Sequence, residues 1–204
     1  SSASDYVYFV GLTFTSGSGA NTVNLLSSGS LTHYDSCKLR LGGTSGGTIQ
    51  ASGDKLVCVN TSVRFAAAGS GLQGASGSVA YYYGGSLESG GTSPTALLAS
   101  LASCRVFIDG FDLSNASASV NITGSTGAGC YVSLRNCKLP ASWSGSLHSG
   151  TPGAGSVYEM FNCDSGDTNY RYRKAAQCID AVRARHHYWR TQSRSSRSEE
   201  HTSE

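Results

Sequence analysis

The chain has 204 residues, of which only 14% are charged, and its formal net charge is +2. It contains 26 glycines, 36 serines and three prolines, yet 39% of its residues are hydrophobic. Because apolar side chains occur throughout, the composition excludes plain disorder and predicts a Gly/Ser-rich chain that folds around a core. The sequence lacks an apolar run of about 18 residues, so it predicts no transmembrane helix and no membrane partner.

The first ten residues, SSASDYVYFV, lack the basic region and the apolar stretch of a secretory signal. The first residue is Ser1, not Met. We therefore expect the natural N-terminus, and any localisation signal with it, to lie upstream.

Six short phrases with alternating apolar residues recur along the chain. In chain order they are VYFVGLTF ending at Phe14, THYDSCKL ending at Leu39, LVCVNTSV ending at Val63, VFIDGFDL ending at Leu113, VSLRNCKL ending at Leu139 and YEMFNCDS ending at Ser165. Their sixth positions lie 25, 24, 50, 26 and 26 residues apart. These positions are Leu12, Cys37, Thr61, Phe111, Cys137 and Cys163. The double interval predicts a further copy near Ser86, with Tyr81 and Tyr83 as its apolar residues.

In each phrase the apolar residues lie two apart, one further residue is then skipped, and the following apolar residues again lie two apart. This pattern indicates two strands joined by a bend. A period near 25 residues is typical of repeats that bury their apolar faces by stacking. We therefore predict an all-β fold, a parallel β-helix of about seven coils over residues 1–170. A β-sandwich is the alternative, but it gives no reason for one corner residue to recur at fixed spacing.

In a parallel β-helix, equivalent residues of successive coils stack in columns about 4.8 Å apart. One inward column is predicted to contain Val7, Thr32, Leu56, Val106, Val132 and Tyr158. The next is predicted to contain Phe9, Tyr34, Cys58, Ile108, Leu134 and Met160. Asn60, Asn136 and Asn162 fall at the bend, where Asn tolerates turn conformations. These residues and the recurring sixth positions are interpreted as a structural ladder.

The seven cysteines form an odd set without a C-x-x-C pair. Tetrahedral zinc sites need clustered thiolates, so we expect buried free thiols and assign no metal or cofactor. The cysteines are Cys37, Cys58, Cys104, Cys130, Cys137, Cys163 and Cys178.

Catalytic β-helices need acidic residues grouped on one outward face. Asp112, Lys138 and Asp164 share an outward column, which predicts a charge ladder between coils and not an acid–base pair. Asp35 and Asp109 share another column, but Val59 separates them. His33 and His148 have no evident acidic partners, and Asp167 belongs to no group. No catalytic residue is assigned.

Tyr82, within the tyrosine cluster, and Trp143 are predicted to stack against sugar rings if they are exposed.

After Tyr170 the repeat stops, and residues 171–204 contain eight of the 15 basic residues. Residues 197–204, RSEEHTSE, resemble the translation of a common short-read sequencing adapter, so we interpret them as an artefact. Residues 171–196 are expected to be an irregular basic segment, either chimeric or frame-shifted sequence or a genuine basic arm. Because this region is suspect, its charge does not predict nucleic-acid binding.

The run NCDSGDTNYRYRK, residues 162–174, resembles a segment of uncharacterised structural proteins of tailed phages, in which a β-helix-like region leads into further domains. This resemblance implies a virion or tail protein assembled in the bacterial cytoplasm. Its implied partners are other virion proteins, further copies of itself as a homotrimer, or a host glycan. A carbohydrate-active enzyme, such as a tailspike depolymerase or polysaccharide lyase, and a secreted adhesin are the alternative functions.

Overall fold

A computed structural model describes residues 6–17, 23–24, 30–42, 49–51, 55–165 and 172–177. Within these ranges all the regular elements are β-strands, and no helix is long and apolar enough to cross a membrane. The strands are β1 (Tyr6–Val10), β2 (Thr13–Thr15), β3 (Val23–Asn24), β4 (Leu31–Asp35), β5 (Lys38–Leu41), β6 (Ile49–Ala51), β7 (Lys55–Val59), β8 (Ser62–Phe65), β9 (Leu72–Gly74), β10 (Val79–Tyr83), β11 (Ser86–Leu87), β12 (Ala96–Leu101), β13 (Arg105–Asp109), β14 (Asn121–Thr126), β15 (Tyr131–Arg135), β16 (Val157–Cys163) and β17 (Tyr172–Gln177).

The strands form three sheets, which the chain visits in turn. The first sheet has the order β1-β4-β7-β10-β13-β15-β16-β17, the second β11-β8-β5-β2 and the third β14-β12-β9-β6-β3. All pairings are parallel except that of β16 with β17. The predicted parallel β-helix with a period of about 25 residues is therefore confirmed.

The number of complete turns is about five, below the predicted seven. The first sheet receives seven parallel strands, but the third sheet contains only five. In the last coils, isolated bridges such as Lys138↔Asp164 and Thr123↔His148 replace regular strand pairing. The last coils therefore have fewer regular strands in the second and third sheets than in the first.

Two inward columns of the first sheet form the centre of the core. Their registers join Val7, Thr32, Leu56, Ala80, Val106, Val132 and Tyr158 in one column and Phe9, Tyr34, Cys58, Tyr82, Ile108, Leu134 and Met160 in the other. Both contain every residue predicted for them. From the second coil onward, their side chains are buried.

The skipped residue of each phrase turns the chain from the first sheet into the second. Seven equivalent residues have positive φ between 46° and 71°. They are Gly11, Ser36, Asn60, Gly84, Gly110, Asn136 and Asn162. This left-handed conformation suits Gly and Asn, which explains their recurrence at the bend. Asn162 Nδ2 donates to Asn136 Oδ1 at 2.7 Å, and Asn136 Nδ2 donates to Asp109 Oδ1 at 2.8 Å.

The fourth coil lies one residue away from the register that the sequence predicts. Its bend is at Gly84, and Gly85, not Ser86, takes the place that Thr61 and Phe111 hold in adjacent coils. Since side chains alternate between faces, Ala80 and Tyr82 point inward while Tyr81 and Tyr83 point outward. The predicted inward placement of Tyr81 and Tyr83 was wrong.

The two ends of the first sheet differ. Strand β1 is an edge strand, and its inward residue Val7 remains 37% exposed because no described strand lies beyond it. At the other end, β17 pairs antiparallel with β16. Residues 172–177 therefore form a strand where an irregular segment was expected. The rest of the basic segment, including Cys178, and the adapter-like residues 197–204 lie outside the described residues.

Candidate functional site

The outer face of the first sheet carries the largest group of aromatic side chains on the described surface. Because strand residues alternate between faces, three columns of side chains point outward from this sheet. The central column contains Tyr8, His33, Val57, Tyr81, Phe107, Ser133 and Glu159, as the strand registers show. Aromatic rings from neighbouring coils therefore lie side by side on a flat surface.

Four outward rings form a continuous group, which we call the aromatic strip: Tyr81 and Phe107 of the central column, with Tyr83 and Tyr131 of the two flanking columns. The centroids of Tyr81 and Phe107 are 5.1 Å apart with nearly parallel rings, and those of Tyr81 and Tyr83 are 5.9 Å apart. Tyr131 leans on Phe107 at 5.4 Å and 45°. Tyr83 is 45% exposed, and the other three are partly buried. The strip thus presents aromatic surface that its own stacking only partly covers.

Polar groups border the aromatic strip on the C-terminal side. Tyr131 Oη donates to Glu159 Oε2 at 2.9 Å. Burial and this hydrogen bond raise the pKa of Tyr131. Asp109 lies beside Tyr83 in the register, and Arg135 follows Asp109 on the next strand. Carboxylate acceptors and a guanidinium donor therefore lie next to the aromatic rings.

A smaller aromatic group occupies the N-terminal end of the same face. The rings of Tyr8 and His33 meet edge to face at 4.5 Å, and Tyr6 stacks with Tyr8 at 6.4 Å. Tyr8 Oη donates to Asp35 Oδ2 at 3.0 Å, and Ser36 Oγ donates to Asp35 Oδ1 at 2.9 Å. The hydrogen bond to Asp35 is the main cause that raises the pKa of Tyr8.

The structure separates the two residues for which sugar stacking was predicted. Tyr82 is only 2% exposed and lies in the inward column, so its ring is not available to a ligand. The prediction for Tyr82 is corrected, because the one-residue shift of the fourth coil exchanges it with its neighbours. Trp143 is partly buried in the segment that joins β15 to β16, and its Nε1 donates to the Val120 carbonyl at 2.7 Å. It does not belong to the first sheet.

Asp112, which was considered for catalysis, and Glu88, which was not, take part in contacts between coils. Lys138 Nζ lies 3.6 Å from Asp112 Oδ2, in the column that continues to Asp164. Arg40 Nε lies 3.0 Å from Glu88 Oε2, and Ser62 Oγ donates to the other oxygen of Glu88 at 3.1 Å. The described part of the chain contains no group of three His, Cys, Asp or Glu residues that could hold a metal ion. Asp167 lies outside that part.

The two histidines considered for catalysis contact hydroxyl groups and aromatic rings. His33 Nδ1 is 3.5 Å from Tyr6 Oη. His148 Nδ1 is 2.8 Å from Thr123 Oγ1, and its ring stacks on Tyr158 at 4.9 Å. These contacts form no acid–base arrangement with a carboxylate.

The sequence did not predict the aromatic strip, although a signal was present. Tyr81, Phe107 and Tyr131 all occupy outward positions once the fourth coil is placed correctly. Comparison with protein-family models, curated proteins and solved structures finds no match. The resemblance to phage structural proteins therefore stays a prediction.

Proposed function

We propose that the chain is a non-enzymatic module of a tailed-phage particle, and that the outer face of its first sheet contacts a host glycan. The resemblance of residues 162–174 to phage structural proteins supports the first part. The aromatic strip is the observation that carries the second part. A solenoid suits this role because its sheet holds side chains from several coils in a fixed spacing.

Sugars offer two kinds of surface to a protein. Their C–H faces pack on aromatic rings, and their hydroxyl groups exchange hydrogen bonds with carboxylates and guanidinium groups. The strip places the exposed Tyr83 ring next to Asp109, with Arg135 one strand further. Tyr and Phe also lose little conformational entropy on binding, and here their stacking already restrains them. The strip therefore combines apolar faces with hydrogen-bonding groups on a rigid support.

The charge of this face favours a weakly charged polymer over nucleic acid. The outward columns of its seven parallel strands contain three basic and three acidic side chains. They are Lys55, Arg105, Arg135, Asp35, Asp109 and Glu159. Nucleic-acid binding depends on an excess of positive charge that neutralises phosphates, and the two signs balance on this face.

The contacts of the acidic side chains support a binding function over hydrolysis. Glu159 accepts a hydrogen bond from Tyr131, and Asp109 accepts one from Asn136. General acid–base catalysis of glycoside cleavage needs two carboxylates arranged around one bond. On this face the carboxylates instead hold neighbouring coils together.

The glycan part is tested by passing the purified protein over immobilised capsular polysaccharides and lipopolysaccharide glycans from a panel of bacteria. We expect at least one glycan to retain the wild-type protein, and its chain length to stay unchanged after incubation. A shortened chain would contradict the non-enzymatic proposal. A protein that binds none of the glycans while remaining folded, as judged by circular dichroism, would contradict the glycan proposal.

The particle part is tested separately by sequencing the DNA on both sides of the coding region. Portal, capsid or tail genes in the neighbourhood are the expected result. A secretion signal directly upstream, with polysaccharide-degradation genes nearby, would contradict it.

A further inference from the structure

Four of the described cysteines form two stacked pairs, and each pair joins neighbouring coils. Cys104 directly precedes β13 and Cys130 directly precedes β15. The amide of Tyr131 donates to the Cys104 carbonyl at 2.9 Å, and Arg105 pairs with Tyr131 in the sheet. The two cysteines thus occupy equivalent places on successive coils. The Cys130 thiol donates to the Gly127 carbonyl at 3.3 Å.

Cys137 and Cys163 form the second pair, in the column that follows the bend. The amide of Asp164 donates to the Cys137 carbonyl at 2.9 Å, and Lys138 bridges to Asp164 in parallel register. Both pairs are buried, so their side chains lie in the core.

Cys37 and Cys58 serve as internal controls for the two stacked pairs. Both are buried, but Cys58 stacks between Tyr34 and Tyr82, and Cys37 has Thr61 next in its column. The Cys37 thiol donates to the Asp35 carbonyl at 3.3 Å. Neither cysteine has another cysteine at the equivalent position of an adjacent described coil. All six described cysteines are buried, so only the register of the strands distinguishes the four paired cysteines from Cys37 and Cys58.

The spacing of the coils suits a disulfide. Neighbouring parallel strands lie about 4.8 Å apart. Disulfides join residues whose Cα atoms are about 4.4 to 6.8 Å apart, and each pair is directly in register. The spacing of neighbouring coils thus falls within the Cα range of natural disulfides.

We propose that Cys104–Cys130 and Cys137–Cys163 are two oxidation sites, at which a low-molecular-weight disulfide such as oxidised glutathione converts each thiol pair into a disulfide between neighbouring coils. One thiolate of the pair attacks the glutathione disulfide, forms a mixed disulfide and releases one glutathione. The second thiolate then attacks the protein sulfur of the mixed disulfide and releases the other glutathione. Formation of each protein disulfide therefore consumes one glutathione disulfide, which is reduced to two molecules of glutathione thiol.

The test uses the full chain, purified under reducing conditions and then incubated with oxidised glutathione below its thermal midpoint. Remaining thiols are alkylated, and the protein is digested with trypsin without reduction. Arg105, Arg135 and Lys138 lie between the four cysteines, so every paired cysteine falls in a different tryptic peptide. Mass spectrometry is expected to find two linked peptide pairs, which unlink on reduction, while Cys37 and Cys58 are recovered alkylated.

Two variants complete the test. Cys104→Ser is expected to lose the first linked pair and keep the second, and the matched control Cys58→Ser is expected to keep both. Oxidation is also expected to raise the thermal midpoint of the wild-type protein. Recovery of all four paired cysteines as alkylated thiols after prolonged oxidation of folded protein would overturn the proposal. So would linkages that involve Cys37 or Cys58 as often as the pairs. These outcomes are independent of glycan binding.

Discussion

A single buried hydroxyl group offers a sharp test of the inward columns. Thr32 is fully buried between Val7 and Leu56 in an otherwise largely apolar column. Its Oγ1 has no hydrogen-bond partner among the residues that the structure describes. We predict that Thr32→Val, which keeps the branched shape and removes the hydroxyl, stabilises the protein.

The expected size follows from the cost of burying a polar group without a partner. An unsatisfied buried hydroxyl costs about 1 to 3 kcal/mol, and valine adds no cavity in its place. We therefore expect the free energy of unfolding to rise by about 1 to 2 kcal/mol. For a chain of this length, each kcal/mol corresponds to about 2 to 4 °C in the thermal midpoint.

Thr61 is the matched control, because it is equally buried but satisfied. Its Oγ1 lies 3.2 Å from the Tyr34 carbonyl and 3.1 Å from the Val59 carbonyl, and its single proton is shared between these two acceptors. Thr61→Val removes these hydrogen bonds and is expected to lower the free energy of unfolding by about 1 kcal/mol. The same substitution in two neighbouring coils thus has opposite signs.

Scanning calorimetry or urea denaturation of the two variants and the wild-type protein measures both effects. A destabilising Thr32→Val would refute the reasoning, because it would mean that the hydroxyl has a partner. Equal changes in the two variants would also refute it, since side-chain hydrogen bonding would then not distinguish the two positions.

Further predictions concern the bends and the outer surface. Gly85→Ala is expected to lower the free energy of unfolding by about 2 kcal/mol or more, because φ is +83° and an added Cβ would meet the backbone of the neighbouring coil. Gly77→Ala, where φ is +77° but the space around the Cβ position is open, should lower it less in the same denaturation assay. Asn136→Ala is expected to lower the thermal midpoint more than Asn136→Gly does, because glycine keeps the left-handed bend while both lose the amide hydrogen bonds. Burial opposes ionisation of Asp112, but local hydrogen bonds and the Lys138 ammonium hold its pKa below the ordinary value of 3.8. Its stabilising effect is therefore present above that value and is lost as the pH falls through the lower pKa of the folded state. Lys138→Met should cost at most about 1 kcal/mol at neutral pH and weaken the loss of stability in acid, as thermal melts across the acid range would show.

The repeat could be predicted because each coil needs the same bend and the same inward residues. Gly11, Asn60 and Asn136 identified the bend, since few other residues adopt its backbone conformation. The residues that follow the bend, such as Cys37, Thr61 and Phe111, were recognised by their spacing alone. The third sheet escaped prediction because its strands, such as β9 with the sequence LQG, are short and rich in small residues.

The fourth coil shows where periodicity fails. Three consecutive tyrosines place an aromatic ring on both faces of a strand, so hydrophobicity does not distinguish the two registers. Two adjacent glycines follow, and either could form the bend. The structure selects Gly84 for the bend, and the interval of 50 residues divides into 24 and 26. This single residue moved Tyr82 into the core and Tyr81 and Tyr83 into the aromatic strip.

The proposed role of the aromatic strip is tested most directly by the affinity of the protein for the glycan that retains it. Isothermal titration would compare the wild-type protein with Tyr83→Ala and with Tyr6→Ala, which removes a more exposed ring at the far end of the same sheet. Loss of a stacking contact is expected to weaken binding about tenfold in Tyr83→Ala, corresponding to about 1.4 kcal/mol. Tyr6→Ala should bind like the wild-type protein. Unchanged affinity in Tyr83→Ala, or equal losses in both variants, would contradict the account.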